Sequence, residues 1–222
     1  MKHIHIYTII PTLLIICEGL GAQTVSGNIG GHDYVDLALP SGNKWATCNI
    51  GATSTTENGD YFAWGEINII KPDSSYKWYD EVRERYTKYN NQSYHGIVDN
   101  KTNLESSDDV ACMTWGNTWH IPTKEEAEEL LNNCSWQKTN NFSDSGVTGY
   151  VGISKNNGNT IFLPAAGCYI VNGIEDAGRD AYYWCSSLSN STVFAHIIPI
   201  LGTDREDVLF RNIGLSVRAV SR

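Results

Sequence analysis

Hydrophobic and polar positions alternate over short stretches of this chain, and they seldom recur at helical spacing. Short alternating or apolar segments bounded by turn residues predict strands. These segments are residues 34–39, 44–48, 60–64, 150–154, 160–165, 181–187, 193–200, 208–211 and 215–220. Asn156-Asn157-Gly158-Asn159 lies between two of them and predicts a hairpin turn. The pattern therefore favours a molecule built mainly from sheet.

Two segments have helical features. Residues 107–109 could begin a short helix over residues 110–112. The clearer helix follows Pro122, because Thr123 as N-cap and Glu126 three residues later form a capping-box pattern. Its apolar face, at helical spacing, consists of Ala127, Leu130, Leu131 and Cys134. Its other face, which we expect in solvent and not in an acid–base site, carries Glu125, Glu126, Glu128 and Glu129.

The elements suggest one domain. Residues 66–107 are polar and aromatic and predict a long insertion-like loop with short helical turns. No internal repeat or domain break is visible within residues 33–222. We therefore expect an α+β fold, rich in loops, with two helices beside a twisted antiparallel sheet.

The first 22 residues have the features of a secretory signal peptide, with a short apolar run at residues 9–16 and cleavage after Ala22. An alternative is a lipoprotein acylated at Cys17, although Ile16 stands where processing requires a small residue. Residues 23–32 are predicted to be an exposed lead-in. No later stretch has the roughly 18 apolar residues of a membrane helix, so we expect a secreted, periplasmic or cell-surface protein.

Net charge and composition limit the classes of molecule that this chain is expected to bind. The chain has 222 residues and a net charge of −9, which stays at −9 after cleavage because Lys2 and Glu18 both leave. An acidic chain without a block of basic residues is a poor partner for nucleic acid.

Cysteine and histidine spacing argues against a metal or cofactor. Five cysteines remain after cleavage, an odd number with no CxxC pair. The histidines that remain after cleavage are far apart and lack HxH or HExxH spacing; they are His32, His95, His120 and His196. We therefore expect no metal site and no cofactor.

Several motifs, in order, closely resemble the Fibrobacter succinogenes major paralogous domain. They are HDYVDL (32–37), LPSG (39–42), WATCNIGA (45–52), GDYFAWGE (59–66), WGNTWHIPT (115–123), LPAAG (163–167), YW (183–184) and GLSVRAV (214–220). The resemblance implies a C-type-lectin-like fold over residues 33–222, with the closing strand at 215–220 pairing near the first. It also implies that strand and helix approach each other, which makes Cys48–Cys134 the best guess for a disulfide.

The stretch YYWCSSL at residues 182–188 could be a nucleophile site or a buried strand. The similar family has Trp-Ser-Ser-Ser here, which implies that Cys185 replaces a serine in a core strand. Ser186 and Ser187 lack a Gly-x-Ser-x-Gly elbow. A distant relative of the fold, the formylglycine-generating enzyme, keeps a cysteine oxidase as an alternative, with Cys168 and Cys185 as its only candidate pair.

Other uses of the lectin-like fold leave different signatures. The calcium-binding triplets of sugar-binding C-type lectins do not occur in this sequence. Some bacterial and phage members are diversified by a retroelement that rewrites adenines. Residues 156–222 contain no Lys, Gln or Met, as such rewriting would leave them, although Glu175 and Glu206 would have to be template residues. Drift within a variable family is the alternative explanation.

We expect a module that binds a glycan or protein on a cell surface, without calcium and without catalysis. Its ligand-binding face is predicted within residues 168–212. The side chains suited to stacking, hydrogen bonding and charge are Tyr169, Tyr182, Phe194, His196, Asp204, Arg205, Phe210 and Arg211. Tyr183 and Trp184 are expected in the core. A purely structural surface protein is a third possibility.

Overall fold

Short antiparallel strands make up most of the regular structure. The computed structural model describes residues 22–171, 173–198, 200 and 207–222. Its strands are β1 (Gly27–Ile29), β2 (His32–Asp36), β3 (Lys44–Ala46), β4 (Tyr79–Asp80), β5 (Arg85–Tyr86), β6 (Trp119–His120), β7 (Cys134–Thr139), β8 (Gly149–Ser154), β9 (Thr160–Pro164), β10 (Cys168–Ile170), β11 (Gly173–Glu175), β12 (Trp184–Leu188), β13 (Phe194–Ile197), β14 (Val208–Phe210) and β15 (Val220–Ser221). The described residues also contain two α-helices, α1 (Val110–Trp115) and α2 (Lys124–Asn133). Three 3-10 turns are present as well, at Ser93–His95, Ser106–Asp108 and Phe142–Asp144.

The largest sheet has the strand order β1-β2-β3-β15-β6. Val220 in β15 pairs with Trp45 on one side and with His120 on the other. The closing segment thus lies one strand away from β2, as expected, but its ladder covers only two residues. Leu215 and Ser216 form single bridges to Phe62 and Tyr183 instead, because this part of the chain runs between sheets.

Two further three-stranded sheets have the orders β7-β8-β9 and β12-β13-β14. The hairpin between β8 and β9 turns through Asn156–Asn159, as predicted, with the Ser154 N–H donating to the Asn159 carbonyl at 2.8 Å. The strand β7 was not predicted, because its exposed side chains are polar and hide the alternation. The mixed architecture, with few helices and several antiparallel sheets, confirms the α+β class.

Both helices begin with a side-chain cap. Asp109 accepts the N–H groups of Ala111 (2.9 Å) and Cys112 (3.2 Å) at the start of α1. Thr123 and Glu126 form the predicted capping box at the start of α2. This reciprocal geometry turns the Glu126 carboxylate back toward the preceding turn, where His120 lies 2.9 Å away.

The prediction that all four glutamates of α2 face solvent is therefore wrong for Glu126, which is buried. Glu125 and Glu128 are exposed, as expected. Glu129 is half-buried because it accepts the Ser41 N–H at 2.9 Å.

Several tryptophans are fully buried and pack in the hydrophobic core. Trp64, Trp119 and Trp184 belong to a first core cluster that packs against α1, and Trp45 belongs to a second cluster beside α2. The Trp64 Nε1–H donates to the Cys185 carbonyl at 2.8 Å, so the ring spans the boundary between the clusters. Tyr183 and Trp184 are buried, which confirms their predicted place in the core.

The predicted exposed lead-in at residues 23–32 is instead partly integrated in the fold. Gln23 is buried; its Nε2 donates to the Thr47 carbonyl (2.8 Å) and its Oε1 accepts the Phe162 N–H (2.7 Å). Residues 27–29 form β1 of the main sheet. The strand at residues 27–29 was not predicted from the sequence, because a short polar strand resembles a loop. The proposed signal peptide and Cys17 lie outside the described residues, apart from Ala22.

In the described part of the chain, no helix is long and apolar enough to cross a membrane.

Candidate ligand-binding site

Two phenylalanines mark the edge of the β12-β13-β14 sheet. Phe194 pairs with Phe210 across β13 and β14, and their ring centroids lie 4.5 Å apart. Because β14 is an edge strand, Phe210 remains 54% exposed. These two predicted site residues are therefore brought together on the surface.

The hairpin of β4 and β5 supplies a second group of rings next to this edge. Tyr79 pairs with Tyr86, and their ring centroids are 5.1 Å apart. The His95 ring meets Tyr86 nearly at right angles, at 5.7 Å. Such edge-to-face contacts fix ring orientations and leave ring faces available to a ligand.

These rings line a cleft of about 410 Å³, here called the aromatic cleft. Its walls include Tyr79, Tyr86, His95 and Phe210, with Glu81 at the side. A cavity of this volume is in the usual range for a small ligand or an inserted side chain.

A second cavity of about 620 Å³, here called the polar cleft, adjoins the first. Glu66, Asn68 and Lys71 line it. The residues that line both clefts are Ser74, Ser75, Tyr76 and Asn212. A single ligand could therefore cross from one cleft to the other over this shared wall.

Arg211 lies beneath both clefts and is fully buried, so its predicted role in contacting ligand is wrong. Its Nη1 donates to the carbonyls of Tyr89 (3.0 Å) and Thr192 (2.9 Å), and its Nη2 to that of Lys88 (3.1 Å). The guanidinium centre also lies 4.7 Å from the Tyr86 ring centroid. Arg211 therefore fixes the loop of residues 66–107 to the sheet.

The Arg211 Nε–H donates to the Tyr76 hydroxyl at 3.0 Å, and that hydroxyl donates to the Trp64 carbonyl at 2.7 Å. Burial raises the pKa of Tyr76 and, less strongly, that of Tyr86, even though Arg211 opposes the shift. Both phenols therefore stay protonated and neutral at ordinary pH.

Glu66 brings a carboxyl group to the polar cleft. Burial raises its pKa, and the Lys77 N–H, which donates to Oε1 at 2.8 Å, partly offsets the shift. A carboxylate partly shielded from water forms stronger hydrogen bonds to a ligand hydroxyl or amide than an exposed one.

Phe210 lines the aromatic cleft, whereas Phe194 lies behind it and lines neither cleft. The remaining predicted site residues do not join the clefts either. Tyr182 is only 2% exposed and packs in the first core cluster, in a buried run of residues that leads into β12; its predicted ligand contact is wrong. Tyr169 is half-buried beside Tyr61, with ring centroids 6.4 Å apart. His196 lies along β13 with Nδ1 3.3 Å from an Asp207 oxygen. Asp204 and Arg205 lie outside the described residues.

The cysteines are mostly interior. Cys185 is fully buried in the second core cluster, and burial raises the pKa of its thiol, which disfavours the thiolate that a nucleophile requires. Burial also raises the pKa of Cys134, to about 11. Cys168 belongs to the first cluster.

The predicted Cys48–Cys134 disulfide is absent, since both thiols are free. Cys134 packs beside Leu130 in the second cluster, whereas Cys48 lines a surface cavity next to His32. The Cys48 and Cys134 side chains thus lie in different parts of the molecule.

Within the described ranges, no group of three or more His, Cys, Asp or Glu side chains is arranged to hold a metal ion.

Most residues that line the clefts were not predicted from the sequence, among them Glu66, Tyr79, Glu81, Tyr86, His95 and Asn212. The available signal was the density of aromatic and polar residues in the segment 66–107. That segment was interpreted as a loop, and nothing local in its sequence shows that it folds over β14.

No family model, curated protein or solved structure matches this chain. The resemblance to the major paralogous domain therefore stays a prediction.

Proposed function

We propose that this protein is a calcium-independent ligand-binding module of the secreted or cell-surface type, with a C-type-lectin-like domain and no catalysis of its own. Its ligand, a glycan or a protein on a cell surface, binds in the aromatic and polar clefts. The observation that carries the proposal is the aromatic cleft, where the half-buried rings of Tyr79 and Tyr86 and the exposed ring of Phe210 line a concave site.

The buried Arg211 side chain beneath the rings favours ligand binding, because it holds the loop in one conformation. Hydrogen bonds from Arg211 to Lys88, Tyr89 and Thr192 hold the loop in place before any ligand arrives. A site that is already ordered loses less conformational entropy on binding, so a given set of contacts yields higher affinity.

The side chains that line the two clefts suit either a glycan or a protein ligand. Stacking rings beside Glu81, Glu66 and Asn212 match the hydroxyl groups and apolar ring faces of a sugar. The same rings match an apolar anchor from a protein. Retroelement diversification is a second candidate within this function, because the segment 156–222, whose composition suits such rewriting, supplies Val193, Phe210 and Asn212 to the aromatic cleft.

To test the proposal, the purified protein is screened on arrays of defined glycans and identified cell-surface proteins, with and without EDTA. We expect a hit that EDTA does not change and that Phe210→Ala weakens at least tenfold. Val25→Ala is the matched control, because Val25 is also exposed (59%) but lies outside both clefts. Failure to bind any probe, with the chain shown to be folded, would favour a purely structural surface protein.

A thiol titration tests the alternative of a cysteine oxidase. Cys48 is the most exposed cysteine of the described chain, and the other four are buried. In the native protein we expect an aromatic disulfide reagent to react with Cys48 first, and with Cys185 only on unfolding, because burial both blocks access and raises the thiol pKa. Rapid paired reaction of Cys168 and Cys185, or stoichiometric copper binding by them, would support the oxidase instead.

A further inference from the structure

Among the described residues, most large exposed apolar side chains belong to the segment and the edge strand that supply walls to the two clefts. Ten large apolar side chains are exposed in the described residues, and six of them lie in the segment 66–107 or in β14. They are Ile69, Val82, Tyr94, Ile97, Val98 and Phe210. We call this surface, formed by residues 66–107 and β14, the loop face.

From this arrangement we infer that the ligand of the loop face is a protein, which inserts an apolar or aromatic side chain into the aromatic cleft. The inference rests on the proposed function and narrows it to one ligand class.

Aliphatic exposure distinguishes a protein partner from a glycan. A sugar stacks on aromatic rings, but it gains little from isolated valine and isoleucine side chains. Val82 is 91% exposed at the turn of the β4–β5 hairpin, and Ile97 is 79% exposed just after the 3-10 turn that carries His95. Several large apolar side chains exposed within one segment are typical of surfaces that a protein covers.

The aromatic cleft has the anatomy of a binding hot spot. Its titratable side chains other than tyrosine are Glu81 and His95, so its centre is poor in charge. Its rings are fixed by mutual contacts and by the Arg211 guanidinium below. A rigid, weakly charged pocket surrounded by apolar and polar rim residues favours burial of a single large anchor side chain.

The charge of the loop face also suits a protein surface. The segment 66–107 carries six basic and seven acidic residues, a net charge of −1, whereas the whole chain carries −9. The remaining surface is therefore the more acidic part and repels other acidic proteins, while the loop face admits close approach.

The test uses the same two arrays and then measures dissociation constants by biolayer interferometry for each hit. The rim variant is the double substitution Val82→Asn and Ile97→Asn, and the cleft variant is Phe210→Ala. Val25→Asn with Met113→Asn is the matched control, since both side chains are exposed and apolar but lie outside the loop face. These surface substitutions should leave the melting temperature unchanged, which is verified for each variant.

We expect an identified protein to bind, and we expect both the rim and the cleft variants to weaken it at least tenfold while the control binds normally. A glycan that binds the wild type and the rim variant equally, but the cleft variant weakly, would overturn the protein partner and leave the proposed function standing. A protein hit insensitive to both variants would also overturn the inference. Absence of binding on both arrays would overturn the proposed function itself.

Discussion

Arg211 shows how strongly one residue's surroundings decide its role. Replacing it with leucine leaves the carbonyls of Lys88, Tyr89 and Thr192 and the Tyr76 hydroxyl without their donor. Each buried polar group left unpaired costs about 1–3 kcal/mol. We therefore expect Arg211→Leu to lower the free energy of unfolding by at least about 4 kcal/mol, measured by urea denaturation.

Arg179→Leu is the control for this measurement, because Arg179 is largely exposed and its ion pairs with Asp176 and Asp180 are at the surface. Such pairs contribute about 0–1 kcal/mol. Equal stability of the two variants would show that Arg211 is not the anchor of the loop.

The sequence alone does not reveal that a charged residue is a buried structural anchor. Arginine is mostly exposed in proteins, so an arginine after a short strand is naturally interpreted as a ligand contact. Two partners of Arg211 are the backbone carbonyls of Lys88 and Tyr89, more than 100 positions away, and only the fold brings them to the guanidinium. Phe194 and Phe210, both predicted ligand-binding residues, do lie together because they pair across β13 and β14, and their contact with ligand stays a prediction.

At the scale of elements, the capping box of α2 makes stability depend on pH. Burial opposes the charged form of Glu126, but hydrogen bonds from His120 and the Thr123 N–H outweigh it and lower the pKa of Glu126 to about 2. A carboxylate whose pKa is lowered on folding stabilises the native state above its ordinary pKa of about 4.5, and this contribution is lost as the pH falls toward 2.

We expect Glu126→Gln to flatten the pH dependence of unfolding free energy between pH 5 and pH 2, by at most about 3 kcal/mol. The measurement is urea denaturation across that range. Glu128→Gln, which changes an exposed carboxylate on the same helix, should retain the slope of the wild type. An unchanged slope in Glu126→Gln would mean that other carboxylates cause it.

Elements with strong local signals were predictable and those defined by distant partners were not. The capping box and the turn at residues 156–159 specify their structures through neighbours in sequence. The strands β1 and β7 carry polar exposed side chains, and their ladders become evident only with their partners in place. Residues 215–219 look like one strand but divide their hydrogen bonds among several segments.

At the scale of the whole molecule, Gln23 connects two sheets. Its side chain joins the segment after β3, through the Thr47 carbonyl, to β9, through the Phe162 N–H. Gln23→Ala leaves both backbone groups buried and unpaired. We expect a loss of about 2–4 kcal/mol in unfolding free energy, which corresponds to a melting temperature lower by roughly 4–16 °C.

Thermal unfolding followed by circular dichroism measures this loss. Val25→Ala is the control, since Val25 lies two residues away and is exposed. If Gln23→Ala melts together with the control, the first residues of the described chain are not part of the cooperative unit.

The position of β15 between β3 and β6 has a consequence for the order in which the main sheet can form during synthesis. The ribosome makes β3 and β6 long before residues 220–221, yet β15 is the strand that lies between them. Until those residues emerge, β3 lacks a neighbour on one edge and β6 has no strand partner in the sheet. The main sheet therefore cannot close on a growing chain until residues 220–221 have been translated, well after its other four strands.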